Sequence, residues 1–124
     1  MELELDSIPL EAKKEKSQKL ISDNPGKLPI ILKKGKNSKL DLPHALYSLI
    51  RYLVTSSRTL GELVYSIRKT LTIPKTEGFY LFTSDRLPAL NMTILQLYER
   101  LSDEDGFLYF TYTSQEDKGK KMML

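Results

Sequence analysis

Few residues of this chain could take part in chemistry. Cysteine is absent and His44 is the only histidine. Without a thiolate or a histidine pair, the chain has no disulfide framework, no nucleophile with an adjacent base and no zinc-type cluster. The densest acidic group, Asp103-Glu104-Asp105, runs directly into Gly106. That pattern reads as a turn leading into a strand rather than as paired catalytic carboxylates. His44 follows Pro43 and reads as a loop or surface residue. An enzyme is therefore the least expected class, and no cofactor or metal is expected.

The charge pattern says more. Between Ala12 and Lys39 lie nine lysines against only Glu15 and Asp23, in a chain whose formal net charge is +3. Such a face attracts acidic peptides, anionic lipid or nucleic acid, or it is a solvated surface. Its lysines are expected to be exposed and to contribute little to stability. Reversing Lys13, Lys14 and Lys16 is expected to leave the fold unperturbed. At 124 residues, 40% hydrophobic and 28% charged, the composition is that of one ordinary globular domain. No apolar run approaches the ~20 residues that span a bilayer. Met1 to Asp6 is acidic and lacks the apolar stretch of a secretory signal, so a cytoplasmic protein is the default expectation.

The elements that must position these residues follow from periodicity and punctuation. Residues 1–9 read as a flexible arm. Residues 10–23 are rich in strong helix formers, with Leu20 and Ile21 on a thin apolar side, and Asn24-Pro25-Gly26 stops the helix. Leu28 to Leu32 reads as a strand and Lys33 to Ser38 as a polar turn. Residues 42–54 are ambiguous. Leu46, Leu49, Ile50 and Leu53 share a helical face, yet Arg51-Tyr52-Leu53-Val54 suits a strand. Thr59 and Glu62 have capping-box spacing before Leu60, Leu63, Val64, Ile67 and Leu71, which recur at helical intervals until Pro74. Phe79 to Thr83 reads as a strand. Asn91 is placed as the cap of a short helix carrying Met92, Leu95, Tyr98 and Leu101. Phe107 to Tyr112 closes the order as a strand, and residues 114–124 read as a flexible tail. Two strand groups around a central helix predict an α+β fold, compatible with a ubiquitin-like β-grasp roll over residues 10–113 with an added N-terminal helix.

Asp103-Glu104-Asp105-Gly106-Phe107-Leu108-Tyr109 resembles the signature of the autophagy ubiquitin-like modifiers, the GABARAP and light-chain-3 family. Other segments agree in order. Pro25-Gly26-Lys27-Leu28-Pro29-Ile30-Ile31 resembles the family's entry into its first strand, and Arg51-Tyr52-Leu53-Val54 its second strand. Gly61 to Lys69 resembles the central helix, and Ser114-Gln115-Glu116 with Gly119 the tail. The resemblance spans about Leu20 to Gly119 and resolves residues 50–54 as strand.

The resemblance implies a non-enzymatic modifier. A processing cysteine protease would cleave after Gly119. E1-like and E2-like enzymes would then conjugate Gly119 to phosphatidylethanolamine, moving the protein from cytoplasm to autophagosomal membrane. Receptors would bring short aromatic-x-x-aliphatic motifs with acidic flanks, adding a strand to an exposed sheet edge. By resemblance, Leu20, Pro29, Ile31, Leu53 and Phe107 line the aromatic pocket. Lys27, Arg51 and Arg68 meet the acidic flank, and Tyr52, Val54 and Leu63 line the second pocket. Taken without the resemblance, the apolar members read as plain core. Arg58 and Ser66 stand where the family usually has apolar residues, Thr55 at a usual proline, Thr70 at a usual base and Lys118 at a usual aromatic. The first of the family's two N-terminal helices looks shortened or absent. Two alternatives remain open: an unconjugated peptide-binding adaptor, and a basic module for tubulin, RNA or anionic membrane. Nucleic acid is the least expected partner.

Overall fold

A computed structural model describes residues 8–35, 49–76 and 78–114, with the backbone alone at 49–52. The elements run α1 (Leu10–Asp23), β1 (Lys27–Lys34), β2 (Leu49–Thr55), α2 (Leu60–Thr70), β3 (Tyr80–Phe82), α3 (Ile94–Leu101) and β4 (Leu108–Thr113). The four strands form one mixed sheet in the order β2-β1-β4-β3. β1 pairs antiparallel with β2 and parallel with β4, and β3 pairs antiparallel with β4. The expected α+β class and ubiquitin-like arrangement are the ones observed. Residues 49–54, within the stretch open to either reading, are strand, and the strand runs on to Thr55. The other half of that ambiguous stretch, with His44, lies outside the described residues, as do the arm to residue 7 and the tail from residue 115.

β1 is the spine because both its faces are covered. Leu28 to Leu32 are buried without a break, the pattern of a strand sandwiched on two sides. Even-numbered Leu28, Ile30 and Leu32 point into the larger core with Leu60, Leu63 and Ile67 of α2, Ile94 and Leu97 of α3, and Leu108, Phe110 and Tyr112 of β4. Ile31 points the other way and packs with Phe107, Leu20 of α1, Ile8 and Tyr109. The sheet thus carries α2 and α3 on one face and α1 on the other.

The two helices of the larger core are capped by side chain and by each other. Thr59 Oγ1 accepts from the Glu62 amide at 3.1 Å while the Thr59 amide donates to Glu62 Oε1 at 2.9 Å, the reciprocal box anticipated from the spacing. At α3 the cap is Thr93, not Asn91: Thr93 and Gln96 form a second box at 2.9 and 3.1 Å. Asn91 is exposed in the preceding turn. The first backbone amides of each helix, which have no intrahelical acceptor, are satisfied across the gap. Leu60 and Gly61 donate to the carbonyls of Met92 and Leu90, and Ile94 and Leu95 donate to those of Arg58 and Ser56.

α1 is fastened differently. It begins at Pro9, whose φ of −57° is already near helical and which offers no side-chain cap. It ends at Asn24, whose Nδ2 donates back to the Leu20 carbonyl at 2.8 Å. Its most buried side chain is polar. Ser17, 1% exposed, donates to the Asp105 carbonyl at 2.8 Å across 88 residues. Gly106 beneath it has φ +89°, and a Cβ there would land on Ser17 Oγ, so only glycine fits. The turn reading for residues 103–106 holds, but Asp105 is not a solvated turn acid.

Candidate functional site

The strand register assigns the anticipated binding residues to faces. Pro29 pairs with Leu53 and Ile31 with Arg51 in the β1–β2 ladder, while Ile31 pairs with Tyr109 in the β1–β4 ladder. Ladder partners share a face, so Pro29, Ile31 and Leu53 lie on the α1 side. There Ile31 (0% exposed) and Phe107 (1%) pack with Leu20. Pro29 is buried, and Leu20 and Leu53 are half-buried. All five residues of the anticipated aromatic pocket therefore lie on one side of the sheet, between α1 and the outermost strand β2.

The second anticipated set lies on the opposite face. The backbone of Tyr52 is level with Ile30 and that of Val54 with Leu28. Val54 and Leu63 are 5% and 3% exposed within the larger core. Arg58 donates to Ser66 Oγ at 3.0 Å in an exposed hydrogen bond. The Tyr52 side chain lies outside the described residues.

Two of the anticipated basic residues can be placed, and they lie on different elements. Lys27 is exposed at the start of β1, level with Thr55. Arg68 sits on α2, on the other layer, and donates to the Pro74 carbonyl at 3.0 Å. The Arg51 side chain lies outside the described residues, as do Lys118 and Gly119.

Sequence reasoning missed the polar centre beneath α1. Asp105 is 1% exposed. Its Oδ1 accepts from the Phe107 amide at 2.9 Å, and its Oδ2 accepts from the Tyr109 hydroxyl and lies 3.8 Å from Lys13 Nζ. Tyr98 donates to the Gly106 carbonyl at 2.6 Å, and its phenol is raised above 10.0 first by burial and then by the Asp105 charge. This corrects the expectation of exposure at Lys13. Lys13 keeps only 17% of its side-chain surface exposed, because it lies over a buried carboxylate. Lys14 and Lys19 do behave as surface residues, pairing with Glu11 and Asp23 along the helix. The missed signal was the adjacency of Asp105 to a glycine that α1 could approach closely.

Comparison with known proteins agrees with this geometry. The model of the family described as "Autophagy protein Atg8 ubiquitin like" matches residues 12–119. Autophagy-related protein 8 of Dictyostelium discoideum is 35% identical over 115 residues, covering 92% of this chain and 91% of the relative. Autophagy-related protein 8a of Arabidopsis thaliana is 33% identical over 113 residues, covering 91% and 89%. The crystal structure of Trypanosoma brucei ATG8 superposes with a TM-score of 0.79 at 26% identity, covering 96% of this chain and all of that one. With the family matched from α1 to the tail, and relatives similar over nearly their whole length, the chain belongs to the Atg8 family of autophagy ubiquitin-like proteins.

Proposed function

We propose that this protein is a non-enzymatic modifier processed after Gly119 and conjugated there to phosphatidylethanolamine, which then recruits receptors to autophagosomal membranes. The observation that carries this reading is that the family match runs through the tail and ends at residue 119. Processing by a cysteine protease and transfer by E1-like and E2-like enzymes are part of the proposal. A glycine at that position of the sequence suits them, since such enzymes act on extended chain. The deciding experiment is intact-mass analysis of protein recovered from its own cells. A chain ending at Gly119 plus a lipid is expected, and Gly119→Ala abolishes it. Only chains ending at Leu124, with the protease present, would refute processing.

Receptor binding is proposed at β2. That strand lies at the sheet edge, and an extended peptide can satisfy its unpaired backbone groups. The motif's aromatic side chain would rest on Leu20, Pro29, Ile31, Leu53 and Phe107, with Lys27, Arg51 and Arg68 attracting its acidic flank. The Arg58–Ser66 hydrogen bond supports a polar or small residue at the motif's last position, beside Tyr52, Val54 and Leu63. A panel of motif peptides titrated by NMR tests this. Shifts at 27–31 and 51–54, weakened in Leu53→Ala, are expected; silence at both segments would exclude the site.

A further inference from the structure

On the side of the sheet away from β2 lies an open cavity of about 580 Å³ between α1, the end of β1, the end of α3 and the turn after β3. That size is within the range of small-molecule sites, but its walls are polar. Lys13, Lys33 and Arg100 line it from three different elements, and Thr83 and Ser84 contribute from a fourth. One carboxylate, Asp103, is also on the wall. Its Oδ1 accepts from the Glu104 amide at 2.8 Å, leaving Oδ2 as an acceptor.

Two of these cations, Lys33 and Lys13, have partners that position them. Lys33 lies over the Tyr109 ring, 5.1 Å from its centroid. Tyr109 is in turn anchored by its hydroxyl to the buried Asp105, which also holds Lys13. The turn that supplies Ser84 is tight: Thr83 and Arg86 exchange backbone hydrogen bonds, and Ser84 and Asp85 have φ of 52° and 60°. Non-glycine residues seldom adopt that region, so the turn keeps a defined shape at the rim.

We propose that this cavity binds a phosphorylated polyol. Three converging cations suit phosphate groups, to which ionised donors bond most strongly. A bare phosphate would leave Asp103 facing like charge. A polyol phosphate instead gives Asp103 a hydroxyl donor while its phosphates reach Lys33 and Arg100. Two sources share this chemistry, a soluble inositol phosphate and a phosphoinositide headgroup. The site lies across β1 and β4 from the proposed peptide edge, so both are occupied at once.

The test uses the full-length chain and inositol 1,4,5-trisphosphate, followed by NMR and calorimetry. Shifts are expected at Lys13, Lys33, Thr83, Ser84 and Arg100, with β2 undisturbed. Arg100→Gln and Lys33→Gln should each weaken binding roughly tenfold, as loss of one charge-assisted contact implies, with melting temperature retained. Lys16→Gln and Lys19→Gln, exposed elsewhere on α1 and off the cavity wall, should change it little. Inorganic phosphate should bind more weakly than the trisphosphate. Vesicles of phosphatidylcholine containing phosphatidylinositol 4,5-bisphosphate, compared with phosphatidylserine vesicles of matched charge, assign the source. Capture that Arg100→Gln abolishes identifies a lipid headgroup, and trisphosphate binding without such capture identifies a soluble ligand. The proposal is overturned if the trisphosphate does not bind. It is equally overturned if all four substitutions weaken binding alike, which would mark a diffuse basic surface. Failure of peptide binding at β2 would leave it untouched.

Discussion

On the α2–α3 side of the sheet the contact is wide and apolar: all four strands and two helices share one cluster that includes Ile30, Leu63, Ile67, Leu97 and Phe110. On the α1 side the apolar cluster is small, Ile31 and Phe107 with three partly buried neighbours. What fastens α1 there is polar: Ser17 on the Asp105 carbonyl, Lys13 beside the Asp105 carboxylate and a glycine that lets the helix come close. Area stabilises regardless of detail, at roughly 25 cal/mol per Å². Hydrogen bonds stabilise only while each partner is met. The first layer should tolerate reshaping and resist opening, and the second should be specific but detachable.

Four measurements test that contrast. The largest effect is expected for Leu97→Ala, at a fully buried position of α3. It should cost about 3 kcal/mol in a cooperative unfolding measured by denaturant, with all elements losing protection together. Asp105→Ala should cost about 2 kcal/mol by leaving the Phe107 amide and Tyr109 hydroxyl without their acceptor. Here hydrogen exchange should show α1 opening well before the strands. If α1 and β1 lose protection equally, the two layers are not separable.

Smaller effects refine the picture. Lys13→Glu brings a second carboxylate to Asp105 and should cost about 1 kcal/mol, whereas Lys16→Glu, exposed on the same helix, should change stability by less than about 0.5 kcal/mol. Equal losses in both would mean that charge on α1 matters only in aggregate. Tyr112 is the last case. Its hydroxyl is fully buried, and among the described residues it has no hydrogen-bond partner. Its ring stacks on Phe79 at 5.9 Å. Tyr112→Phe should raise stability by up to about 1 kcal/mol, because a buried unpaired hydroxyl is removed and the ring contact kept. Burial raises the phenol of Tyr112 above its ordinary 10.0, as burial and Asp105 do for Tyr98. The unfolded chain therefore loses these protons first, and stability falls as pH rises past about 10. The fall should be shallower in Tyr112→Phe, checked by thermal melts across alkaline pH.

Much of the wide layer was legible in the sequence because it is written in periodicity. Leu60, Leu63 and Ile67 at helical spacing, and the unbroken Leu28-to-Leu32 run, declare burial without knowledge of partners. Thr59 and Glu62 declare the start of α2 in the same local way. The Thr93–Gln96 box obeyed the same rule and was passed over for Asn91, an equally good capping type two residues earlier. The narrow layer was not legible. Nothing local distinguishes Ser17 from any helix serine, or Lys13 from Lys14 and Lys16; their roles come from a carbonyl and a carboxylate nearly ninety residues away. The cavity lined by Lys33 and Arg100 was hidden for the same reason, since those residues meet only through the fold. The resemblance named the pocket side chains, but which face each occupies came from the strand register.

The parallel pairing of β1 with β4 has a consequence for the order of assembly. Ile30 is aligned with Leu108, so the sheet's central pair joins segments near opposite ends of the chain. During synthesis β1, with its five consecutive apolar-face residues from Leu28 to Leu32, emerges long before its partner exists. Non-local pairings of this kind slow folding, and an unpaired apolar strand is the usual route to aggregation. The native state is reached only once β4 has left the ribosome, and truncation anywhere before β4 leaves a chain that exposes its own most adhesive segment.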